Sequence, residues 1–218
     1  NWALFFMHII HRGIINKKYR ENNLNSFKAS FKKRFGIETD IHVTRDGKFI
    51  CHHDYTLKRI FKINKSIKNL NYSTLINIIK NKDKIPLLNN LLKISKNKYN
   101  IFIEIKPLFD KKTLLKLINE TKNFKKCVFI SFKKENIFNL LKLRKNINVG
   151  LSFSDKSTLN EILKKSSNNK IKYLILDKKF LNNKKIQNIK KIKYFYTIKK
   201  KSEFLKYHKQ NNLIFENL

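Results

Sequence analysis

Short apolar runs alternate along almost the whole chain with longer amphipathic segments, and this rhythm restricts the fold more than any other feature of the sequence. The runs at Ala3–Ile10, Ile37–Val43, Phe49–His52, Ile101–Ile105, Cys127–Phe132, Val149–Phe153, Tyr173–Leu176 and Phe195–Ile198 read as strands, with a weaker candidate at Leu213–Phe215. Between most of them the apolar period becomes helical. Ile137, Leu140 and Leu141 recur at i, i+3 and i+4, as do Leu159, Ile162 and Leu163, and Ser154 or Asp155 is placed to cap the second of these helices. Strands separated by helical crossovers lie parallel and bury both faces under helices, so the sheet is either open and doubly wound or closed into a barrel. Eight such units in 218 residues make a compact barrel. One interval breaks the rhythm: Asp46-Gly47 sits between two apolar runs, which is a hairpin signal, so a small hairpin insertion is expected after the second strand.

The chain is 41% hydrophobic and 12% aromatic, enough for one substantial core and too much for a disordered tail. A single domain over residues 1–218 follows from that length. No apolar run approaches the roughly 18–20 residues of a membrane span; the first, Trp2–Ile10, is interrupted by His8. No small-residue cleavage site follows it, so the expected location is cytoplasmic. Cys51 and Cys127 lie in strand-like runs outside any CxxC pair and read as buried small hydrophobes. Fifty Lys and Arg against 15 Asp and Glu give a formal charge of +35. That charge implies generic affinity for polyanions and weak association with an anionic membrane surface. It implies no specific nucleic acid, because Lys, Asn and Ile are heavy everywhere while Gly and Pro are scarce, as an AT-rich coding sequence would produce.

Chemistry-bearing residues gather early. Five of the six histidines fall within the first 53 residues, beside the densest acidic pattern of a chain poor in acids. His11-Arg12-Gly13 closes the first strand, Glu38-Thr39-Asp40 lies on the second, His53-Asp54 closes the hairpin arm, and Glu104-Ile105-Lys106-Pro107 closes a later strand. Ligand sites of barrels and open α/β sheets gather at such strand ends. Side chains two apart on a strand share a face, which pairs Glu38 with Asp40 and Glu104 with Lys106. Three converging carboxylates repel unless a cation sits between them, and oxygen-only ligation suits Mg²⁺ or Ca²⁺. Arg12 and Lys106 can then hold a phosphate, and two histidines beside it can act as general acid and base. Singly these signals are weak: a lone ExD on a strand is more often a solvated or salt-bridged pair, and a lone His at a strand end is usually structural. Their weight lies in the combination.

The runs His11-Arg12-Gly13, Glu21-Asn22, Leu24–Phe27, Gly36–Gly47 and His53-Asp54 with Leu57 and Arg59 resemble the glycerophosphodiester phosphodiesterases. The similarity continues through Ile85-Pro86-Leu87 and Ile103–Pro107, then fades after about Phe132, with Tyr196-Thr197-Ile198 standing where the family has a Trp-Thr-Val-type strand. The resemblance implies a (β/α)8 TIM barrel and metal-dependent hydrolysis of glycerophosphodiesters to glycerol 3-phosphate and an alcohol. It places the metal ligands on Glu38, Asp40 and Glu104 and the acid/base histidines on His11 and His53. Arg12, Lys106 and Tyr196 fall to substrate binding. The implied mechanism is attack by the glycerol hydroxyl to give a cyclic phosphate that water opens. His42 reads as lining the barrel, His52 as structural, and His8 and His208 have no motif. Three departures stand out: Arg20 replaces a usual Pro, which loosens its loop; Tyr196 replaces the Trp; and Leu213–Leu218 lacks the usual Thr-Asp-x-Pro ending, which makes closure by the last strand less secure.

Two other readings compete. A lysophospholipase-D-like enzyme would use the same histidines and metal, and an apolar rim at the barrel mouth would favour it. A basic nucleic-acid-binding protein with a vestigial site is disfavoured by the intact His11, His53, Glu38, Asp40 and Glu104.

Overall fold

Eight parallel strands close on themselves in the computed structural model, which describes residues 7–79 and 84–218. In chain order the first half contains β1 (Ile9–His11), α1 (Leu24–Lys32), β2 (Gly36–Val43), β3 (Phe49–Cys51), α2 (Lys58–Phe61), α3 (Tyr72–Ile78), α4 (Leu88–Ser95), β4 (Ile101–Ile105) and α5 (Lys111–Thr121). The second half contains β5 (Cys127–Ser131), α6 (Lys134–Leu143), β6 (Val149–Phe153), α7 (Leu159–Ser166), β7 (Tyr173–Asp177), α8 (Lys184–Gln187), β8 (Ile192–Ile198), α9 (Lys201–Tyr207) and β9 (Asn212–Phe215). Around the barrel the order is β1, β2, β4, β5, β6, β7, β8, β9 and back to β1. β3 pairs antiparallel with the far end of β2, through Ile41–Cys51, His42–Ile50 and Val43–Phe49, and forms the hairpin that Asp46-Gly47 predicts. This is the (β/α)8 barrel with an insertion after its second barrel strand.

Three expectations change. Of the first run, β1 takes only Ile9–His11; its opening residues 3–6 lie outside the described residues. The helix predicted from Leu159 is capped by Thr158, whose side chain accepts from the Glu161 backbone N–H, and not by Ser154 or Asp155. Ser154 is instead spent in a turn, accepting from the backbone N–H groups of Lys156 and Ser157. Closure by the last strand is complete without the family's usual ending. β9 is hydrogen-bonded to β8 on one side and, at Ile9–Ile214 and Ile10–Phe215, to β1 on the other, and a backbone ladder needs no particular side chains.

The two-residue period of the strands decides what the barrel interior holds. Ile9, Phe102, Val128, Ile130, Ile175, Tyr194 and Ile214 pack inside it as one apolar cluster. The alternate residues, among them Ile10, Ile37, Ile103 and Phe129, face outward under the helices and join the larger core. Each fully buried Ile or Phe there contributes about 1.5–3 kcal/mol relative to exposure. A third cluster, Ile50, Leu57, Ile67, Leu70, Leu75, Ile79 and Ile85, anchors the insertion. Cys51 and Cys127 are buried, and burial pushes both thiols up to about 12, which leaves them inert.

The neighbouring strands leave no room at Gly150. A Cβ there would lie 2.8 Å from the Tyr173 Cβ and 3.0 Å from its backbone oxygen. Gly150→Ala is expected to cost about 1–3 kcal/mol through overpacking, read as a lower urea midpoint with unchanged slope.

Candidate active site

Along most barrel strands the inward positions run from apolar at the base to polar at the mouth, whereas β5 stays apolar through Val128, Ile130 and Phe132. Ile9 is followed by His11, Phe102 by Glu104, Tyr194 by Tyr196 and Ile214 by Glu216, while β2 presents Glu38, Asp40 and His42. The apolar base excludes water, and the polar ends converge at the C-terminal pole. There, a cavity of about 530 Å³ is lined by His11, Arg12, Glu38, His53, Glu104, Lys106 and Tyr196, together with Glu21, Arg59, Phe132 and Glu216. A wider concavity of about 700 Å³ lies on α5 between Lys111 and Glu120, but one helix supplies its whole lining and no polar groups converge.

Glu38, Asp40 and Glu104 come from adjacent strands, with Asp40 opposite Glu104 in the β2–β4 register. One oxygen of each lies within 4.8 Å of the others, and all three are buried. Asp40 is held by its neighbours: Asn22 Nδ2 donates to Oδ2 at 3.0 Å, Arg12 Nε stands 3.0 Å away and Lys106 Nζ 3.5 Å. Burial alone would raise this carboxyl, but Arg12 and Lys106 overcome it and hold Asp40 well below the usual carboxylate range. Glu38 goes the other way, raised by burial and then by Asp40 and Glu104. Glu104 is pushed up to about 7 by burial and then by Asp40, against Lys106, whose Nζ donates to its Oε1 at 2.7 Å.

The donor set fits a hard divalent cation. Both Glu38 oxygens and Asp40 Oδ1 are buried without a hydrogen-bond partner among the described residues. Orphaned carboxylate oxygens are costly, and a cation held among the three clustered carboxylates would relieve them. A bound cation must displace the proton that Glu104 carries below about pH 7. Metal affinity should therefore fall on acidification through that range, by up to about tenfold per pH unit, in calorimetric titrations on either side of neutrality. Equal affinity on both sides would contradict this.

Each histidine at the mouth is gripped at Nδ1. His11 Nδ1 lies 2.7 Å from Glu216 Oε2, and His53 Nδ1 lies 2.6 Å from Asp54 Oδ1. A carboxylate at Nδ1 keeps a proton there, so Nε2 is the nitrogen that exchanges protons with a substrate. Nε2 of His11 points toward the carboxylates, 3.8 Å from Glu38 Oε2. Burial lowers His53 below the ordinary imidazole value, Asp40 partly opposing and Arg12 and Lys106 reinforcing it, so the ring is neutral at pH 7. Glu216 is held ionised near 2, first by His11 and also by Lys199, whose Nζ is 2.7 Å from Oε1.

The left-handed backbone of Arg12 (φ 54) and Gly13 (φ 78) turns the chain sharply after β1 and swings the guanidinium back over Asp40. Around it runs a chain of ion pairs: Arg12 with Glu21, Glu21 with Arg59, Arg59 with Asp54, and Asp54 with His53. Arg20, expected to loosen this loop, lies over the Phe61 ring at 5.7 Å. His42 is buried with its Nε2 3.1 Å from the His53 carbonyl oxygen, so it props the loop that carries His53. His52 is likewise buried, against the Thr56 carbonyl. Tyr196 donates its hydroxyl to the Phe153 carbonyl at 3.0 Å and lines the cavity.

Sequence reasoning missed Glu216, and it quoted Glu21, Asn22, Asp54 and Arg59 without giving them roles. The signal for Glu216 was present: it stands two residues beyond the inward Ile214, on the face that the alternation assigns to the barrel interior.

A sequence profile of the glycerophosphoryl diester phosphodiesterase family matches residues 11–216. No curated protein sequence gives a significant match. Among solved structures, a glycerophosphodiester phosphodiesterase from Thermotoga maritima superposes with a TM-score of 0.82 at 19% identity, covering 97% of this chain and 94% of that one. A phosphodiesterase from Oleispira antarctica, in complex with the product sn-glycerol-3-phosphate, gives 0.83 at 18% identity over 99% and 94%. A glycerophosphodiester phosphodiesterase from Agrobacterium tumefaciens gives 0.77 at 15% identity over 98% and 96%. At these identities the likeness carries the fold.

Proposed function

The chain belongs to the glycerophosphoryl diester phosphodiesterase family, and from that premise we propose that its mouth site hydrolyses glycerophosphodiesters to sn-glycerol 3-phosphate and an alcohol. The observation that carries the reading is the convergence of three buried carboxylates with two carboxylate-gripped histidines in one cavity. The product held by the Oleispira antarctica enzyme supports the choice of substrate.

Glu38, Asp40 and Glu104 would hold a divalent cation, Mg²⁺ or Ca²⁺, which supplies Lewis-acid stabilisation of charge growing on the phosphoryl oxygens. Arg12 and Lys106, freed from part of their pairing with the carboxylates, bind the phosphate, Arg12 through its fork and Lys106 as a point charge. One histidine, unprotonated at Nε2, accepts there the proton of the attacking glycerol hydroxyl; the other enters as the imidazolium, its Nδ1–H on its carboxylate, and delivers its Nε2 proton to the departing alkoxide. The resulting cyclic phosphate is opened by water with the two roles exchanged. Glu216 and Asp54 steady the imidazolium formed at each turn. Tyr196 packs its ring against the glycerol or alcohol portion, and Phe132 meets it edge-on at 6.1 Å.

The test is release of glycerol 3-phosphate from glycerophosphocholine and glycerophosphoethanolamine, with chelator and with Mg²⁺ or Ca²⁺ restored. Chelator-sensitive release supports the reading; no release from folded, metal-supplied protein removes it. One observation favours a second reading, cleavage of lysophospholipids. An apolar cavity of about 450 Å³, lined by Ile10, Ile14, Phe35, Phe204 and Phe215, shares Ile15 with the active-site cavity. Choline release from lysophosphatidylcholine in place of glycerophosphocholine would select it.

A further inference from the structure

The barrel mouth carries exposed apolar side chains to which hydrolysis assigns no chemical step, although one of them, Phe132, also lines the active-site cavity. Tyr55, Leu108, Phe132 and Leu218 are 52%, 59%, 40% and 41% exposed, and each lies on the segment that follows a strand: β3, β4, β5 and β9. The parallel barrel puts the ends of β4, β5 and β9 on the pole where the site opens. The Tyr55 hydroxyl donates to the Lys106 carbonyl at 2.9 Å, which brings the end of β3 to the same pole. Exposed cations share this rim: Lys17 and Lys18 after β1, Lys133 beside Phe132, Lys156 after β6, Lys179 after β7 and Lys200 after β8. Against them stand the exposed acids Asp110, Glu135 and Asp155, with Asp177 half-buried at the end of β7. Glu21, Asp54 and Glu216 at the mouth are engaged by Arg12, Arg59, His53, His11 and Lys199.

A single exposed Leu needs no explanation. Large apolar tips interleaved with cations on one pole are a different feature, because they combine insertion below lipid head groups with attraction to lipid phosphates. A nucleic acid would use the lysines and could stack on Tyr55 or Phe132, but Leu108 and Leu218 offer it no stacking face. Nor does net charge pick out this pole, since Lys125, Lys126 and Lys170 are equally exposed at the opposite one.

We propose that the mouth of the barrel docks on an anionic phospholipid surface, with Leu108, Phe132 and Leu218 among the head groups and the rim lysines against the phosphates. The active site then opens toward the membrane. This holds whichever phosphodiester is cleaved, and its test needs no turnover.

Flotation with vesicles of phosphatidylcholine alone, and of phosphatidylcholine with about 30% phosphatidylglycerol, at about 0.15 M salt, reads docking directly. The chain is expected to float with the anionic vesicles only. Leu108→Ser with Leu218→Ser, and separately Lys133→Gln with Lys156→Gln and Lys200→Gln, should each cut the vesicle partition coefficient about tenfold or more. Lys125→Gln with Lys126→Gln and Lys170→Gln removes the same charge from the other pole and should leave it within about twofold. Circular dichroism confirms that each variant is folded. The proposal is overturned if wild type does not float, if both lysine triples lose equally, or if duplex DNA strips the protein from vesicles while Leu108→Ser with Leu218→Ser binds them normally. That last result would assign the rim to nucleic acid.

Discussion

His53→Ala is expected to lower kcat by roughly 10²- to 10⁴-fold, and His11→Ala by a similar factor, while the fold and metal binding survive. Neither ring is in the apolar core, and neither supplies a ligand atom to the carboxylate cluster. The double variant should lose little more than either single one, because one proton relay is broken in both cases and residues that act as a unit are not additive. Glu216→Gln keeps an acceptor for His11 Nδ1 but removes its charge, so a smaller loss, on the order of tenfold, is expected in kcat with KM little changed. Single-turnover hydrolysis of glycerophosphocholine would check the series. Full turnover by His53→Ala would take His53 out of the chemistry.

The second large effect has opposite signs with and without metal. Glu38→Gln should stabilise the metal-free protein at neutral pH, because burial, Asp40 and Glu104 all disfavour the ionised form of Glu38 and neither of its oxygens has a hydrogen-bond partner among the described residues. Its folded pKa is raised, so the wild-type penalty is present above that value and disappears below about pH 4.3, where the unfolded carboxyl also holds its proton. The stabilisation by the variant should vanish over the same interval. In saturating Mg²⁺ or Ca²⁺ the order reverses. Metal at about a hundred times its dissociation constant stabilises wild type by about 2.7 kcal/mol, roughly 5–10 °C in Tm for a chain of this size, and the variant should lose most of that rise. Calorimetry in chelator and in metal tests both halves. An undiminished metal shift would remove Glu38 from the ligand set.

These expectations rest on residues that were legible to different degrees. Glu38, Asp40, Glu104 and Lys106 could be assigned to shared faces from their spacing alone, because side chains on a strand alternate with a period of two and the strands were plain. His11 and His53 stood at the ends of apolar runs, where such sites collect, and the motif resemblance gave them roles. The inward face of Glu216 was legible in the same way, but its pairing with His11 was not. Its partner lies 205 residues away, and the pair exists only because β9 closes against β1. The weak last strand, not the missing terminal motif, was the true unknown, and backbone pairing on both sides resolved it.

The chain's own pattern determined the strand–helix rhythm, the hairpin at Asp46-Gly47, the burial of both cysteines and the polar upper face of β2, since each follows from local propensity and periodicity. Only the tertiary structure decided the rest. Barrel closure selected one of two architectures that share that rhythm. It also brought Glu38, Asp40 and Glu104 within 4.8 Å of one another and put Glu216 on His11. The directions in which Glu38, Asp40 and Glu104 shift had to wait for it as well. The physical reason is range: periodicity acts over a few residues, whereas desolvation and Coulomb coupling depend on distances that exist only once distant strands are side by side.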